Sequence, residues 1–242
     1  MEFIKYGKYN IPYTIKRSKR KKTLAISISP TAQVIVLSPE FLKNEEIEKL
    51  VKKKVRWIIE KQKYFKHLMA IYPEKEFISG EEILFLGRRY RLKIKKLSDV
   101  SEPILNIEGR RVVITINHRW DSDKRKEVIR NRLKNWYLSK VEEIIEKRIN
   151  RYSKQLGLMP KEIKIKDQKK RWGSCSEKGI IRFNWKIIMA PVSIIDYIVV
   201  HELCHLKIKN HSNDFWKLVS LALSNYEKRR NWLKNNAGVF EL

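Results

Sequence analysis

Short apolar runs alternate with turn residues in the first sixth of the chain, as in a set of β-strands. Residues 24–29 and 34–37 are such runs, with turn-forming residues between them. We predict a β meander over residues 11–38. A helix is expected over residues 44–67, because apolar residues recur there near helical spacing among many lysines and glutamates. These apolar residues are Ile47, Leu50, Val51, Val55, Trp57, Ile58 and Ile59.

A second strand-rich stretch and a long helix follow. The runs at residues 83–86, 90–94 and 112–116 are rich in aliphatic residues and are punctuated by glycines, which predicts strands. Residues 122–156 carry a continuous apolar stripe at helical spacing, which predicts one helix. We expect Gly157 to end this helix. Its N-cap candidates are Asp121, Ser122 and Asp123.

The remainder is mostly helical, with short strands expected at residues 163–165 and 180–183. The sequence therefore predicts an α+β fold. We expect a β-rich N-terminal region with one helix over residues 1–121 and a helical region over residues 122–242. The two regions could also form a single folding unit. A chain of 242 residues can bury a substantial core without disulfides.

Charge and cysteine content narrow the function classes. The formal net charge is +27, which favours an anionic partner such as a nucleic acid, a nucleotide or an acidic surface. The two cysteines, Cys175 and Cys204, are too few for a disulfide framework and fit a reducing compartment. The chain shows neither a signal-peptide pattern nor an apolar run long enough for a transmembrane helix. We expect a cytoplasmic protein without membrane contact.

The segment that carries chemistry is His201-Glu202-Leu203-Cys204-His205, which matches the H-E-x-x-H pattern. On a helix, His201 and His205 lie on one face and can bind one metal ion. Glu202 can then accept a proton from a water that the metal activates. The surrounding residues are strongly apolar, so these polar groups would be buried at a cost that a metal offsets. We expect Ser193 and Asp196 to cap this helix.

A catalytic zinc usually has three protein ligands and one open position. His211 is the favoured third ligand, since its spacing from His205 equals that of the longer H-E-x-x-H-x-x-G-x-x-H pattern. The glycine of that pattern is replaced by Ile208. We expect Asn210 to supply the left-handed residue instead. Glu227 is the alternative third ligand.

Other candidate ligands are less suitable. Cys204 points away from the face that His201 and His205 share, which favours a buried, inert thiol. His67 and His118 lie in basic surroundings and are expected at the surface. After His211, Ser212 is expected to cap a last helix.

A second cluster, Arg171-Trp172-Gly173-Ser174-Cys175-Ser176, precedes the histidine helix. With Gly179 it predicts a tight hairpin whose edge can bind an extended peptide. Arg171 can instead hold a phosphate or stabilise an oxyanion. An equally good interpretation of this cluster is structural: Trp172 and Trp185 would pack against the histidine helix. The substrate-binding candidates are Arg171, Trp172, Ser174 and Tyr197.

These segments together resemble the YgjP-like metal-dependent hydrolases, which are grouped with SprT-like and WLM zinc metallopeptidases. The resemblance rests on residues 171–176, 184–185, 191, 196–197, 201–206, 210–212 and 215–216. It implies a zincin-like core with one zinc per chain, His201, His205 and His211 as ligands, and Glu202 as general base. Nucleoside triphosphate pyrophosphohydrolase activity on UTP is also attributed to this family, and SprT-like relatives act on proteins attached to DNA.

Three functions therefore remain open. The first is a zinc-dependent metallopeptidase that acts on peptide substrates. The second is a metal-dependent nucleotide pyrophosphohydrolase in which Lys169, Lys170 and Arg171 hold phosphates. No P-loop pattern occurs, so such side chains would have to bind the phosphates. The third is a nucleic-acid-binding protein without enzymatic activity, which only the charge favours.

Overall fold

The computed structural model describes residues 2–19, 23–29, 31–71, 75–168, 171–236 and 240. The chain divides into two units, Met1–Glu74 and Lys75–Leu242. The described residues combine strands in mixed sheets with helices, and the first half is strand-rich, so the predicted α+β class is confirmed. Within the described part of the chain, no helix is both long and apolar enough to cross a membrane.

The first unit is a four-stranded sheet with two helices. Its elements are β1 (Glu2–Tyr6), β2 (Tyr9–Ser18), β3 (Ala25–Ile28), β4 (Val34–Pro39), α1 (Asn44–Lys52) and α2 (Val55–Ile71). The strand order is β1-β2-β4-β3, with β2 and β4 parallel. The predicted meander was therefore wrong: two antiparallel hairpins are joined through a parallel pair of strands, which apolar runs alone do not reveal.

Residues 44–67 form parts of two helices rather than the single helix that was predicted. A turn at Lys53 and Lys54 separates α1 from α2. The apolar pattern hides this break, because both helices bury the same stripe against the sheet. The buried stripe consists of Ile47, Val51, Val55 and Ile58, whereas Leu50 and Trp57 are exposed.

The second unit begins with a sheet of the same strand order. Its strands are β5 (Glu82–Phe85), β6 (Arg88–Leu97), β7 (Ile104–Glu108) and β8 (Arg111–Asn117), ordered β5-β6-β8-β7 with β6 and β8 parallel. Alternate residues face the core, among them Leu92 on β6 and Ile114 on β8. The intervening residues of β6 are exposed. One face of this sheet is therefore apolar and covered. On the other, which we call the open face, the outward residues of β6 are exposed, although Val113 of β8 is buried there.

The long helix α3 (Ser122–Leu156) has the limits that its pattern predicted. Asp121 is the N-cap, and its carboxylate accepts a hydrogen bond of 2.8 Å from the backbone N–H of Lys124. Gly157 ends the helix in the left-handed conformation, at φ +64°.

The rest of the unit forms a three-stranded sheet, a 3-10 helix and three α-helices. These elements are β9 (Glu162–Lys166), β10 (Gly173–Cys175), β11 (Ile180–Asn184), the 3-10 helix Trp185–Met189, α4 (Val192–Lys207), α5 (Asn213–Ala222) and α6 (Tyr226–Asn236). The strand order is β10-β11-β9, so β10 lies at the edge. The strands predicted at 163–165 and 180–183 correspond to β9 and β11.

One core joins all of these elements, and this explains why the division at residue 74 differs from the boundary predicted at residue 121. Ile83 and Leu92 of the second sheet share that core with Leu133 and Tyr137 of α3. The Tyr137 hydroxyl donates a 2.6 Å hydrogen bond to the carbonyl of Leu84 on β5. The second sheet therefore belongs with the helices that follow it rather than with the first sheet.

Candidate metal centre

Helix α4 carries the H-E-x-x-H segment and is buried along most of its length. The residue at its N-cap is Pro191, and Ser193 lies inside the first turn, so the predicted capping by Ser193 and Asp196 was wrong. The turn between β5 and β6 fixes the start of the helix. There, the N–H groups of Leu86 and Gly87 donate to the carbonyls of Ile188 and Met189 at 2.8 and 3.0 Å.

Asp196 has a different function in the structure, because it connects α4 to α3. Its Oδ1 atom lies 3.4 Å from Nε of Arg148, in a pair whose side chains are 11% and 28% exposed. On α6, Arg229 donates a 3.0 Å hydrogen bond to the carbonyl of Ser193. The first half of α4 is thus tied to α3 and to α6.

The last turn of α4 brings the histidines together. His201 and His205 are one helical turn apart, and their Nε2 atoms lie 3.2 Å from each other. The chain leaves the helix after Lys207 and returns His211 to the same point, with its Nε2 atom 3.1 Å from that of His201. One nitrogen from each of the three residues lies within 4.8 Å of the other two, so they could hold a metal ion.

A backbone contact orients His205 for this purpose. Its Nδ1 atom lies 2.9 Å from the carbonyl oxygen of Ile208. Because a carbonyl only accepts, Nδ1 carries the proton and Nε2 keeps its lone pair. Ile208 is extended at φ −123°. Asn210 is not among the described residues with positive φ, so its predicted left-handed role was wrong.

Burial keeps the imidazoles of His201 and His205 neutral. It lowers the pKa of His201 to about 3, and the charges of His205, His211 and Arg230 act in the same direction. Burial also lowers the pKa of His205, against the opposing hydrogen bond to Ile208. Neutral imidazole is the form that binds a metal.

Glu202 is buried on the same helix, with 6% of its surface exposed. Its Oε2 atom has no hydrogen-bond partner. Burial raises the pKa of this carboxyl to about 8, and the nearby charge of Arg171 opposes the shift. An unpartnered buried carboxylate is costly, and Glu202 directly follows His201 on α4. The donor set and this carboxylate fit a bound metal cation.

Gly173 on β10 makes room for Glu202. A Cβ atom at Gly173 would lie 2.7 Å from both Cγ and Oε1 of Glu202. Any side chain at this position would therefore displace the carboxylate or the strand. Sequence reasoning placed Gly173 only in a hairpin, because a glycine that makes space leaves no pattern in the residues around it.

Aromatic rings from α5 and α6 line the other side of the histidines. The ring of Phe215 is stacked on His205 at 4.5 Å, and Trp216 is stacked on His211 at 5.6 Å between ring centres. Tyr226 stacks on Trp216 at 5.2 Å, and the guanidinium carbon of Arg230 lies 4.6 Å from the Trp216 ring centre. Arg230 therefore lies one aromatic ring away from the histidine cluster, and sequence reasoning did not identify it.

The predicted substrate-binding residues lie on two sides of this cluster. Arg171 is exposed and close enough to Glu202 to affect its pKa. Trp172 is partly buried and meets Phe240 edge to face at 5.4 Å, while Ser174 is partly buried on β10. Tyr197 is 5% exposed, and its ring centre is 5.8 Å from that of His201. Lys169 and Lys170 lie outside the described residues.

The remaining candidates lie apart from the histidine cluster. Glu227 is exposed and is not part of the group that could hold a metal; its Oε1 atom lies 3.5 Å from the hydroxyl of Tyr226. Cys204 is fully buried, and burial raises its thiol pKa to about 12, as expected for an inert thiol. His67 and His118 are exposed, as predicted.

The chain was compared with protein families, curated proteins and solved structures. The model of the YgjP-like metallopeptidase domain matches residues 22–236. No curated protein matches the sequence. A crystal structure of the metallopeptidase zymogen of Pyrococcus abyssi abylysin is 22% identical and matches with a TM-score of 0.36, over 38% of this chain and 93% of that one. The family match spans both units and includes every residue of the histidine cluster, so the chain belongs to the YgjP-like family of metallopeptidases.

Proposed function

We propose that the protein is a zinc-dependent peptidase in which His201, His205 and His211 hold the metal and Glu202 is the general base. The observation that carries this proposal is the convergence of three histidine nitrogens, together with a buried glutamate directly after His201 whose Oε2 atom has no partner. A structural zinc would require a fourth protein ligand and would leave Glu202 without a function.

The spacing of the nitrogens supports zinc. Two nitrogens bound to one tetrahedral zinc at about 2.0–2.1 Å are about 3.3–3.4 Å apart. The Nε2 atoms of His205 and His211 lie 3.2 and 3.1 Å from that of His201. All three candidate ligands are imidazole nitrogens, which zinc accepts readily.

When bound, zinc supplies Lewis-acid chemistry: it lowers the pKa of a water molecule and polarises the carbonyl of the substrate. Glu202 then accepts the proton of the attacking water. As the C–N bond breaks, the same carboxyl transfers that proton to the departing amine nitrogen. Gly173 keeps the carboxylate of Glu202 in position, because it leaves the space that the side chain occupies.

The edge strand β10 supports a peptide as substrate. Its pairs with β11, such as Ser174 with Arg182, occupy one edge only. An extended peptide can add to the other edge through backbone hydrogen bonds. Gly173 on this strand contacts Glu202 directly, so such a peptide would lie beside the general base. We propose that Arg171, Trp172, Ser174 and Tyr197 contact the substrate there.

Nucleotide pyrophosphohydrolysis is the second candidate function. It is favoured by Arg171, an exposed cation whose charge reaches Glu202. The same water would attack phosphorus, and Arg171 would hold a phosphate oxygen.

The test compares the zinc-loaded protein with Glu202→Gln. Each is incubated with a mixture of unfolded proteins in H₂¹⁸O and, separately, with nucleoside triphosphates. We expect new ¹⁸O-labelled peptide termini with the unchanged protein only, and one zinc per chain in both. Pyrophosphate release that depends on Glu202, without new termini, would replace the peptidase proposal by the nucleotide one. Activity that persists in Glu202→Gln, or none in either protein, would refute Glu202 as the base of an enzyme.

A further inference from the structure

The open face of the second sheet carries a row of cations along one strand. The outward positions of β6 are Arg89, Arg91, Lys93 and Lys95, and all four are exposed. Their neighbours on β6, Leu92 and Ile94, turn towards the core. The backbone therefore holds the cations on one side, at every second residue. Successive outward residues of a strand are about 6.6 Å apart, which is close to the spacing of successive phosphates along an extended nucleic-acid strand.

This row is not explained by the charge of the whole chain. The segment from residue 71 to 122 is nearly neutral, since its acidic residues almost balance its basic ones. The first sheet has the same strand order. On its strand β2, the buried residues Ile11 and Tyr13 alternate with outward residues, of which only one is charged. These outward residues are Asn10, Pro12, Thr14 and Lys16. The cations are therefore concentrated on β6 in particular.

The row continues onto the neighbouring strand. Arg91 is in register with Arg111 of β8, so two like charges lie side by side; at the outer ends of this line, Glu82 is in register with Arg91 and Glu108 with Arg111. Neighbouring like charges repel unless an anion lies between them. Arg89, Arg91, Arg110 and Arg111 line a surface depression of about 520 Å³, together with Glu82 and Glu108.

The acidic residues Glu82 and Glu108 on this face already form ion pairs. Glu82 pairs with Arg89 at 3.1 Å, and Glu108 pairs with Lys95 at 3.2 Å. Among the described residues, none has a carboxylate within ion-pair distance of Arg91, Lys93 or Arg111. These three cations are therefore free to bind an external anion.

We propose that this face, formed by the outward residues of β6 together with Arg110 and Arg111, binds the phosphate backbone of a nucleic acid. The regular spacing favours a polymer with evenly spaced phosphates over an acidic protein patch. The face has no exposed aromatic ring on these strands on which a base could stack, so binding would be independent of sequence. The proposal does not depend on the peptidase activity.

The test measures binding of the full-length protein to a labelled 20-nucleotide single strand and a 20-base-pair duplex over a series of KCl concentrations. The variant Arg91→Gln/Lys93→Gln/Arg111→Gln removes the three free cations. For the single strand, we expect the slope of log K against log [KCl] to become less steep by about 2, and binding at 0.1 M KCl to weaken about 100-fold. The two probes distinguish single-stranded from duplex ligands.

The matched control is Lys154→Gln/Lys178→Gln/Lys228→Gln, which removes the same charge from exposed positions elsewhere in the unit. We expect binding within about twofold of the unchanged protein.

A third variant, Glu82→Gln/Glu108→Gln, frees Arg89 and Lys95 and should strengthen binding, a gain that misfolding cannot produce. The proposal is overturned if the control weakens binding as much as the row variant, or if polyglutamate competes as well as the oligonucleotides. A parallel assay measures binding to phosphatidylserine vesicles. The proposal is also overturned if the row variant loses binding to these vesicles but not to the oligonucleotides.

Discussion

The carboxylate of Glu202 occupies the space that a side chain at Gly173 would need, with Oε1 lying 2.7 Å from the position of a Cβ atom. Strand β10 and helix α4 therefore meet at this pair of residues. The hairpin at residues 171–179 and the H-E-x-x-H segment form one structure, although they are far apart in the sequence.

Replacing Gly173 by alanine should impair catalysis without removing the metal. The new methyl group would force the carboxylate of Glu202 or strand β10 to move by several tenths of an ångström. A displacement of about 1 Å at a reacting group costs about 100-fold in rate, so we expect a loss of this order in kcat. Zinc content and kcat on an identified peptide substrate are the measurements.

The control for this prediction is Gly179→Ala in the same hairpin. A Cβ atom there makes only ordinary contacts, the nearest at 3.7 Å, but φ is +74°. This variant should lose stability with little effect on kcat. Equal kcat values for Gly173→Ala and the unchanged protein would show that the strand moves without disturbing Glu202.

Removing any of the three histidines should weaken metal binding and the stability that it provides. In the unchanged protein, zinc at 100 times its Kd should add about 2.7 kcal/mol to the free energy of unfolding. His201→Ala, His205→Ala and His211→Ala should each lose most of this gain. Thermal unfolding with and without zinc measures it. The exposed His118 is the matched control, and a gain reduced equally in His118→Ala would contradict the assignment.

Arg230 should support turnover although it contacts no histidine directly. Its guanidinium lies over Trp216. Burial lowers the pKa of His201 and raises that of Tyr197, and the charge of Arg230 adds to the first shift and opposes the second. A cation at this point stabilises negative charge that develops during hydrolysis. We expect Arg230→Gln to lower kcat/KM about tenfold with zinc content unchanged. Lys228→Gln removes the same charge from the same helix and should have no effect; an equal loss in both would indicate only a general charge effect.

Asp196 should contribute to stability rather than to chemistry. Asp196→Ala would leave the partly buried Arg148 without its ion-pair partner, at a cost of about 2 kcal/mol. Denaturant unfolding at saturating zinc measures this change. Glu143→Ala breaks exposed pairs on the same helix as Arg148, with Lys140 and Lys147, and should cause no measurable change. A drop in zinc affinity in Asp196→Ala, without loss of stability, would contradict this interpretation.

Local signals predicted the individual elements well and their connections poorly. Asp121 and Gly157 mark the ends of α3 because a cap and a left-handed glycine act on the adjacent backbone. The parallel pairing of β2 with β4 depends on residues about 20 positions apart, which no local pattern records. The break after Lys52 was missed because α1 and α2 bury one continuous stripe.

The candidate site shows the same contrast. The spacing of His201 and His205 follows from helix geometry, so the sequence could predict that they face one point. By contrast, no signal in the sequence indicated that the ring of Trp216 stacks on His211 and has the guanidinium of Arg230 over it. That role depends on how α5 and α6 pack, and the pattern along each helix gives no information about it.

Position 208 shows how a sequence pattern can be stricter than the structure it describes. The longer histidine pattern has a glycine there, but in this protein the residue is extended and contributes its carbonyl oxygen to His205. Every amino acid has that carbonyl, and nearly all adopt an extended backbone. Evolution can therefore vary this side chain without altering the imidazole it orients. A motif search that demands glycine would overlook this chain, whereas one that requires only the three histidines, the glutamate and their spacing would find it.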